Sequence, residues 1–246
     1  YAAYKSVTYM VQARRLLRPL YDDPETSERR PAVSYYLGRT NYGLGAFRDG
    51  VRALERFTDS HPELAMRPET GFLQQVHQQR GELDADRLAD LLVGARTWPD
   101  FHLDGEELRA ALRRLRPFSA TEGTRCFYRL YARRFDKRRW GDKTPVYGRH
   151  MPEIQELLPE ASFIHLVRDG RDVAVSLRPL WFAPGQDAAT LAAYWQDGVT
   201  VARRDGENCR RFLEVRYEEL IADPSGVLRR ICDFLALPFA PEMLSY

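Results

Sequence analysis

Cysteine is scarce in this chain. Only Cys126, Cys209 and Cys232 occur among 246 residues, odd in number, far apart and not at metal-ligand spacing. That usage points to reduced, buried thiols rather than a disulfide framework or a zinc site. Long apolar runs are also missing: no segment approaches the roughly 20 residues that cross a bilayer, so no membrane span is expected and a cytoplasmic location is. Charge of one sign is lacking too. The 37 basic and 35 acidic residues leave a net charge of +2. A bulk nucleic-acid footprint is therefore not indicated, and any anion site must come from local clustering. No Gly-x-x-x-x-Gly-Lys-Ser/Thr loop is present, which argues against a kinase or GTPase of that type. There is no internal repeat or low-complexity tract. What remains, 44% hydrophobic and 29% charged, is enough for one sizeable core.

The apolar pattern alternates between strand and helix periods. Residues 1 to about 22 read as a helix and 21–31 as a proline-bounded linker. A strand is expected at 32–38 and a second, ending in a glycine loop, at 41–50, either of which can be the core strand, and 51–64 starts as a helix with Val51, Leu54 and Phe57 roughly on one side. The middle, 80–118, is helical: Leu88, Leu91, Leu92, Leu108, Leu112 and Leu115 recur at helical spacing, with breaks at Pro99 and Pro117. Helices follow at 121–135, 152–158, 189–204 and 224–237. The last carries Val227, Leu228, Ile231, Phe234 and Leu235 on one face. Residues 162–167 suit a strand buried on both faces, and 211–220 a strand running into a turn. The alternation predicts an α/β fold, a central parallel sheet flanked by helices.

A burst of charge, Val-Arg-Asp-Gly-Arg-Asp over 167–172, follows the strand at 162–167. Open parallel sheets bind ligands beyond the carboxyl ends of their strands. Arg168 sits at such an end, and Ser176 lies inside the next helical segment. A guanidinium fork and a hydroxyl suit a phosphate. A salt-bridged turn, with Asp169 and Asp172 pairing with the arginines, accounts for these residues equally well.

The stretch from Leu166 to Leu177 resembles the 3′-phosphate motif of sulfotransferases that use 3′-phosphoadenosine 5′-phosphosulfate. Three further segments resemble that family in the same order: 59–73, with the Arg-Pro-Glu-Thr run; 140–147, with Gly-Asp-Lys-Thr-Pro; and 214–237, with Arg-Tyr-Glu-Glu-Leu. The segments resemble those of bacterial and tyrosylprotein sulfotransferases, and the resemblance covers roughly 42–240. The resemblance implies the P-loop-NTPase-like sulfotransferase fold, that nucleotide as donor with 3′-phosphoadenosine 5′-phosphate as product, and no metal. It implies that Arg168 and Ser176 hold the 3′-phosphate, that Lys143 lies beside the sulfuryl group, that Glu69 is the catalytic base, and that Tyr217 sits near the nucleotide. His61 and Glu63 are weaker candidates for the base. The residue types fit the chemistry, because sulfuryl transfer is an in-line displacement catalysed by positioning and electrostatics.

One segment departs from the family pattern. The 5′-phosphosulfate loop aligns with residues 45–54, where Gly45, Arg48, Gly50 and Leu54 match but Asp49, Val51 and Arg52 replace Ser and two Thr residues. Arg48, Gly50 and Arg52 are the expected donor contacts of this loop. Asp49 places a carboxylate where a phosphate would lie, and it also suits a helix N-cap. A non-catalytic binding protein of the same fold, or a transferase for a different anionic donor, is the alternative. The expected organisation is an N-terminal helical extension and linker over 1–40 and a sulfotransferase-like domain over 41–246 with a helical insertion at about 74–135. The acceptor is expected to bear a hydroxyl, on a small molecule, a glycan or a peptide tyrosine.

Overall fold

The computed structural model describes residues 60–244 except Pro68, Pro179, Trp181 and Phe182. The elements expected over 1–22, 32–38, 41–50 and 51–59 lie outside the described residues. The described chain forms two compact units. One comprises Pro62–His165 and Val201–Phe212; the other comprises Leu166–Thr200 and 213–244 together with residues 60–61.

The first unit begins with strand β1, Leu64–Arg67. Helices α1 (Leu73–Gln79), α2 (Ala85–Val93), α3 (Gly105–Arg113) and α4 (Ala120–Arg133) follow, then β2 (Arg139–Asp142) and α5 (Met151–Leu157). Polar caps start the helices: Asp84 accepts from the Asp86 and Arg87 amides, Asp104 from those of Glu106 and Glu107, and Ser119 from that of Glu122. Each such cap contributes about 1 kcal/mol by satisfying amides that the helix cannot. The expected breaks fall in short connections. Pro99 lies in a 3₁₀ turn, Trp98–Phe101, and Pro117 lies between α3 and α4.

Leu88, Leu92, Leu108 and Leu112 are fully buried where α2 and α3 pack together. Phe127 of α4 meets Phe72 and Phe101 edge-on, each ring centroid 5.2 Å away. Burial of each such side chain stabilises the unit by about 1.5–3 kcal/mol. Against this base β1 and β2 pair in parallel, with Leu64 opposite Arg139 and Arg67 opposite Asp142. Both strands therefore end at the same level.

In the second unit, α6 spans Gly170–Leu177, α8 Tyr217–Ala222 and α9 Pro224–Leu235. Strands β3 (Phe163–Val167) and β4 (Phe212–Arg216) are hydrogen-bonded neighbours, and α7 runs from Ala188 to Glu207. The expectation that β3 is buried on both faces is corrected: its residues are only partly buried, and Ile164 is 38% exposed. The expected turn after β4 is a helix, α8. Val227, Leu228 and Ile231 of α9 are buried as predicted, while Phe234 and Leu235 are half-buried. The thiols also differ from expectation, since Cys232 is buried but Cys126 and Cys209 only partly so.

Candidate functional site

The parallel register of β1 and β2 has a direct consequence. Two residues past Arg67 comes Glu69, and one residue past Asp142 comes Lys143, so both leave the carboxyl ends of adjacent strands. Lys143 Nζ donates to Glu69 Oε1 at 3.0 Å. The side chains are 30% and 54% exposed, so the pair faces solvent. Gly71 then turns the chain into α1 with φ +72°, a left-handed conformation that costs glycine little.

Polar residues surround this pair from below. Asp142 Oδ2 accepts from Thr70 Oγ1 and from the Tyr128 hydroxyl, each at 2.5 Å. Asp142 Oδ1 accepts from Thr144 Oγ1 at 2.7 Å. Thr70, Thr144, Tyr128 and Tyr147 are all buried. Burial, reinforced by the Asp142 charge, pushes both tyrosine hydroxyls well above their ordinary titration range.

A separate cluster forms in the second unit at the end of β3. The Arg168 side chain is 12% exposed and lies 3.7 Å from the Asp172 carboxylate. Its guanidinium carbon stands 4.5 Å over the Tyr217 ring. The turn that carries it is fixed from three sides. Trp195 Nε1 donates to the Arg168 carbonyl at 3.0 Å, the Asp169 amide donates to Glu218 Oε1 at 2.8 Å, and Asp169 accepts the Arg171 amide at 2.9 Å. Arg171 also pairs with Asp169 and, by hydrogen bonding, holds that carboxyl well below the usual carboxylate range. Both predicted ion pairs of the charged turn are thus present. Ser176 lies in α6 and is 2% exposed, and its Oγ finds no hydrogen-bond partner among the described residues.

The structure therefore brings Glu69 to Lys143 and Arg168 to Tyr217. Arg48, Gly50 and Arg52, with Asp49 and Val51, lie outside the described residues. His61 has a structural contact: it is fully buried, and its Nε2 lies 2.9 Å from the Pro238 carbonyl. The carbonyl of Glu63 receives the Arg139 amide at the start of the strand pair. Sequence reasoning missed Thr70, Asp142, Thr144, Trp195 and Glu218. Four of them flank residues it had singled out: Thr70 follows Glu69, Asp142 and Thr144 bracket Lys143, and Glu218 follows Tyr217. Among the described residues no cluster of His, Cys, Asp and Glu is placed to hold a metal ion, and no helix is long and apolar enough to cross a membrane.

The profile of the Sulfotransferase family matches residues 42–241. A Caenorhabditis elegans protein named "Putative protein-tyrosine sulfotransferase" is 30% identical over 110 residues, 43% of this chain and 42% of that protein. The omega-hydroxy-beta-dihydromenaquinone-9 sulfotransferase Stf3 of Mycobacterium tuberculosis is 33% identical over 112 residues, 39% of this chain and 28% of Stf3. The chain thus spans less than half the length of these curated relatives. The sulfotransferase domain from the curacin biosynthetic pathway shares the fold, with a TM-score of 0.53 at 23% identity over 77% of this chain and 71% of that one. By a family match that runs from residue 42 to residue 241, this chain belongs to the Sulfotransferase family.

Proposed function

We propose that this chain transfers a sulfuryl group from 3′-phosphoadenosine 5′-phosphosulfate to a hydroxyl-bearing acceptor. The observation that carries this reading is the Glu69–Lys143 pair beyond the ends of two adjacent parallel strands. In the transfer, the acceptor oxygen bonds to sulfur and the bond from sulfur to the bridging phosphate oxygen breaks. The acceptor hydroxyl must lose its proton, and negative charge grows on the bridging oxygen. Glu69 takes the proton as general base, and Lys143 meets the charge. An electrostatic contact of this kind is typically worth about 10²–10³ in turnover.

Arg168 and Ser176 hold the 3′-phosphate in this reading, and Tyr217 lies against the nucleotide. A guanidinium only 12% exposed and backed by a tyrosine ring, and a buried hydroxyl with no partner among the described residues, support it. The two curated relatives are named for a protein tyrosine and an omega-hydroxy quinone derivative, which share only a hydroxyl. The helical region of about 74–135, which forms α1 to α4, is the proposed source of acceptor selectivity. Asp49, Val51 and Arg52 favour a second reading, a fold member that takes another anionic donor or binds without catalysis.

Calorimetric titration with 3′-phosphoadenosine 5′-phosphate separates the two. Micromolar binding that Arg168→Ala abolishes is expected. Absence of binding to the folded wild-type protein would replace the first reading with the second.

A further inference from the structure

An ion pair as exposed as Glu69–Lys143 does not hold itself in place, because solvent screens it and two flexible side chains resist ordering. Its 3.0 Å separation must come from the segments that carry it. Those segments meet over one partly buried carboxylate. Asp142 receives three hydroxyl donors, from Thr70, Tyr128 and Thr144. An ionised carboxylate only accepts, so each hydroxyl has to point its proton inward. Thr70 spends its one proton on Asp142, and its oxygen, 2.7 Å from the Tyr147 hydroxyl, must then accept from Tyr147. The Tyr147 oxygen in turn accepts the Leu73 amide at 3.0 Å. Thr144 Oγ1 likewise donates to Asp142 and accepts the Thr70 amide at 2.9 Å. Thr97 Oγ1 closes the network on the Thr70 carbonyl at 2.9 Å. Only one set of proton directions satisfies every contact.

The backbone consequence is specific. Thr70 is bonded through its amide, its hydroxyl and its carbonyl, which fixes the residue next to Glu69 on all its polar atoms. Asp142 and Thr144 are both in the network, so Lys143 is held on either side. Tyr128 anchors the assembly to the core, since its ring stacks on Trp140 with centroids 4.0 Å apart and planes 6° from parallel.

We propose that Asp142, with the buried Thr70, Thr144 and Tyr147, forms a clamp that positions Glu69 against Lys143 for proton removal and sulfuryl transfer. These are positioning residues, not catalytic ones: the clamp acts through the backbone beneath the pair. The proposal rests on the assignment of Glu69 and Lys143 as base and cation, and its test has one readout that needs no activity.

The chain has three lysines, Lys5, Lys137 and Lys143. Competitive acetylation with acetic anhydride, read by mass spectrometry, therefore reports Lys143 directly. Lys137, whose Nζ donates to the Leu64 carbonyl at 3.0 Å, serves as the internal reference. In Thr70→Val and in Tyr147→Phe, Lys143 is expected to acetylate several-fold faster relative to Lys137. Turnover of the phosphosulfate donor with p-nitrophenol as probe acceptor should fall about tenfold in kcat, the size of one lost hydrogen bond to a charged network, with donor KM unchanged. Thr70→Ser, which keeps the hydroxyl, should restore both. If Thr70→Val does not fold, Tyr147→Phe decides alone. Unchanged Lys143 labelling in a folded variant overturns the clamp. Faster labelling with donor KM rising and kcat intact also overturns it, because the network would then serve binding. If wild-type protein shows no turnover, the transferase assignment fails while the labelling still decides whether the clamp positions the pair.

Discussion

The indole of Trp195 closes on the residue before the α6 cap: its Nε1 donates to the Arg168 carbonyl at 3.0 Å, and its ring lies against Gly170. A Cβ on Gly170 would sit 2.7 Å from that ring, closer than real side chains approach. Trp195 and Gly170 together fix the turn from which the Arg168 side chain departs. Trp195→Phe keeps a ring and removes the N–H, a loss of about 1 kcal/mol. Affinity for 3′-phosphoadenosine 5′-phosphate should fall roughly fivefold by calorimetry, the ratio that such an energy implies. Gly170→Ala displaces the indole and should weaken binding further, with circular dichroism unchanged. Equal affinity in both variants would show that the turn does not govern Arg168.

Phe127 occupies the centre of the first unit, fully buried between Phe72 and Phe101. Truncation to Ala removes a ring that the surrounding helices cannot refill, and should cost about 3–5 kcal/mol in urea unfolding. Phe135, two residues beyond α4 and 48% exposed, is the control. Phe135→Ala should change stability by less than about 0.5 kcal/mol. Comparable losses at the two positions would mean that the rings are not where the packing places them.

The helices of that unit were legible because leucines recur at helical spacing between the breaks at Pro99 and Pro117; the caps Asp84, Asp104 and Ser119 that start them emerged only in the structure. Strands β1 and β2 were not, because Leu-Ala-Met-Arg and Arg-Trp-Gly-Asp carry no β-branched residue and are only four residues long. Their pairing joins segments more than 70 residues apart, which no local period records. The same reason divides the site. The resemblance pointed to Glu69 and Lys143 one by one, but their contact at 3.0 Å depends on the long-range register. Asp142 and Thr70 passed as ordinary polar neighbours, since the bond between them is visible only once the strands are paired.

Tyr128 and Tyr147 should resist alkali. Burial first, and then the Asp142 charge, raises both hydroxyls above the ordinary tyrosine value. The unfolded chain releases these protons near pH 10 (about the model-peptide value) while the folded chain keeps them. Above that pH the folded state binds more protons, so stability falls as pH rises; below it these two groups leave stability level. Near-ultraviolet titration of the folded protein should therefore show at least two tyrosines, Tyr128 and Tyr147, ionising only as the chain unfolds. Tyr147→Phe should lower that number by one and flatten the alkaline loss of stability. Full tyrosine titration in the folded state would contradict the closed environment around Asp142.

Ser176 offers a test in which stability and binding move in opposite directions. Its hydroxyl is 2% exposed and has no hydrogen-bond partner among the described residues, so the folded chain bears a desolvation cost there. An unsatisfied buried polar group is typically unfavourable by about 1–3 kcal/mol. Ser176→Ala removes that group and fills nearly the same space, so the melting temperature without ligand should hold or rise. If Ser176 is a phosphate ligand, the same variant should bind 3′-phosphoadenosine 5′-phosphate about tenfold more weakly, the loss expected for one hydrogen bond to a charged group. A structural serine would give the reverse pattern: lower melting temperature and unchanged affinity. A gain in stability coupled to a loss in affinity is what a residue kept for its ligand produces, since the chain then carries a polar group that its own fold does not use.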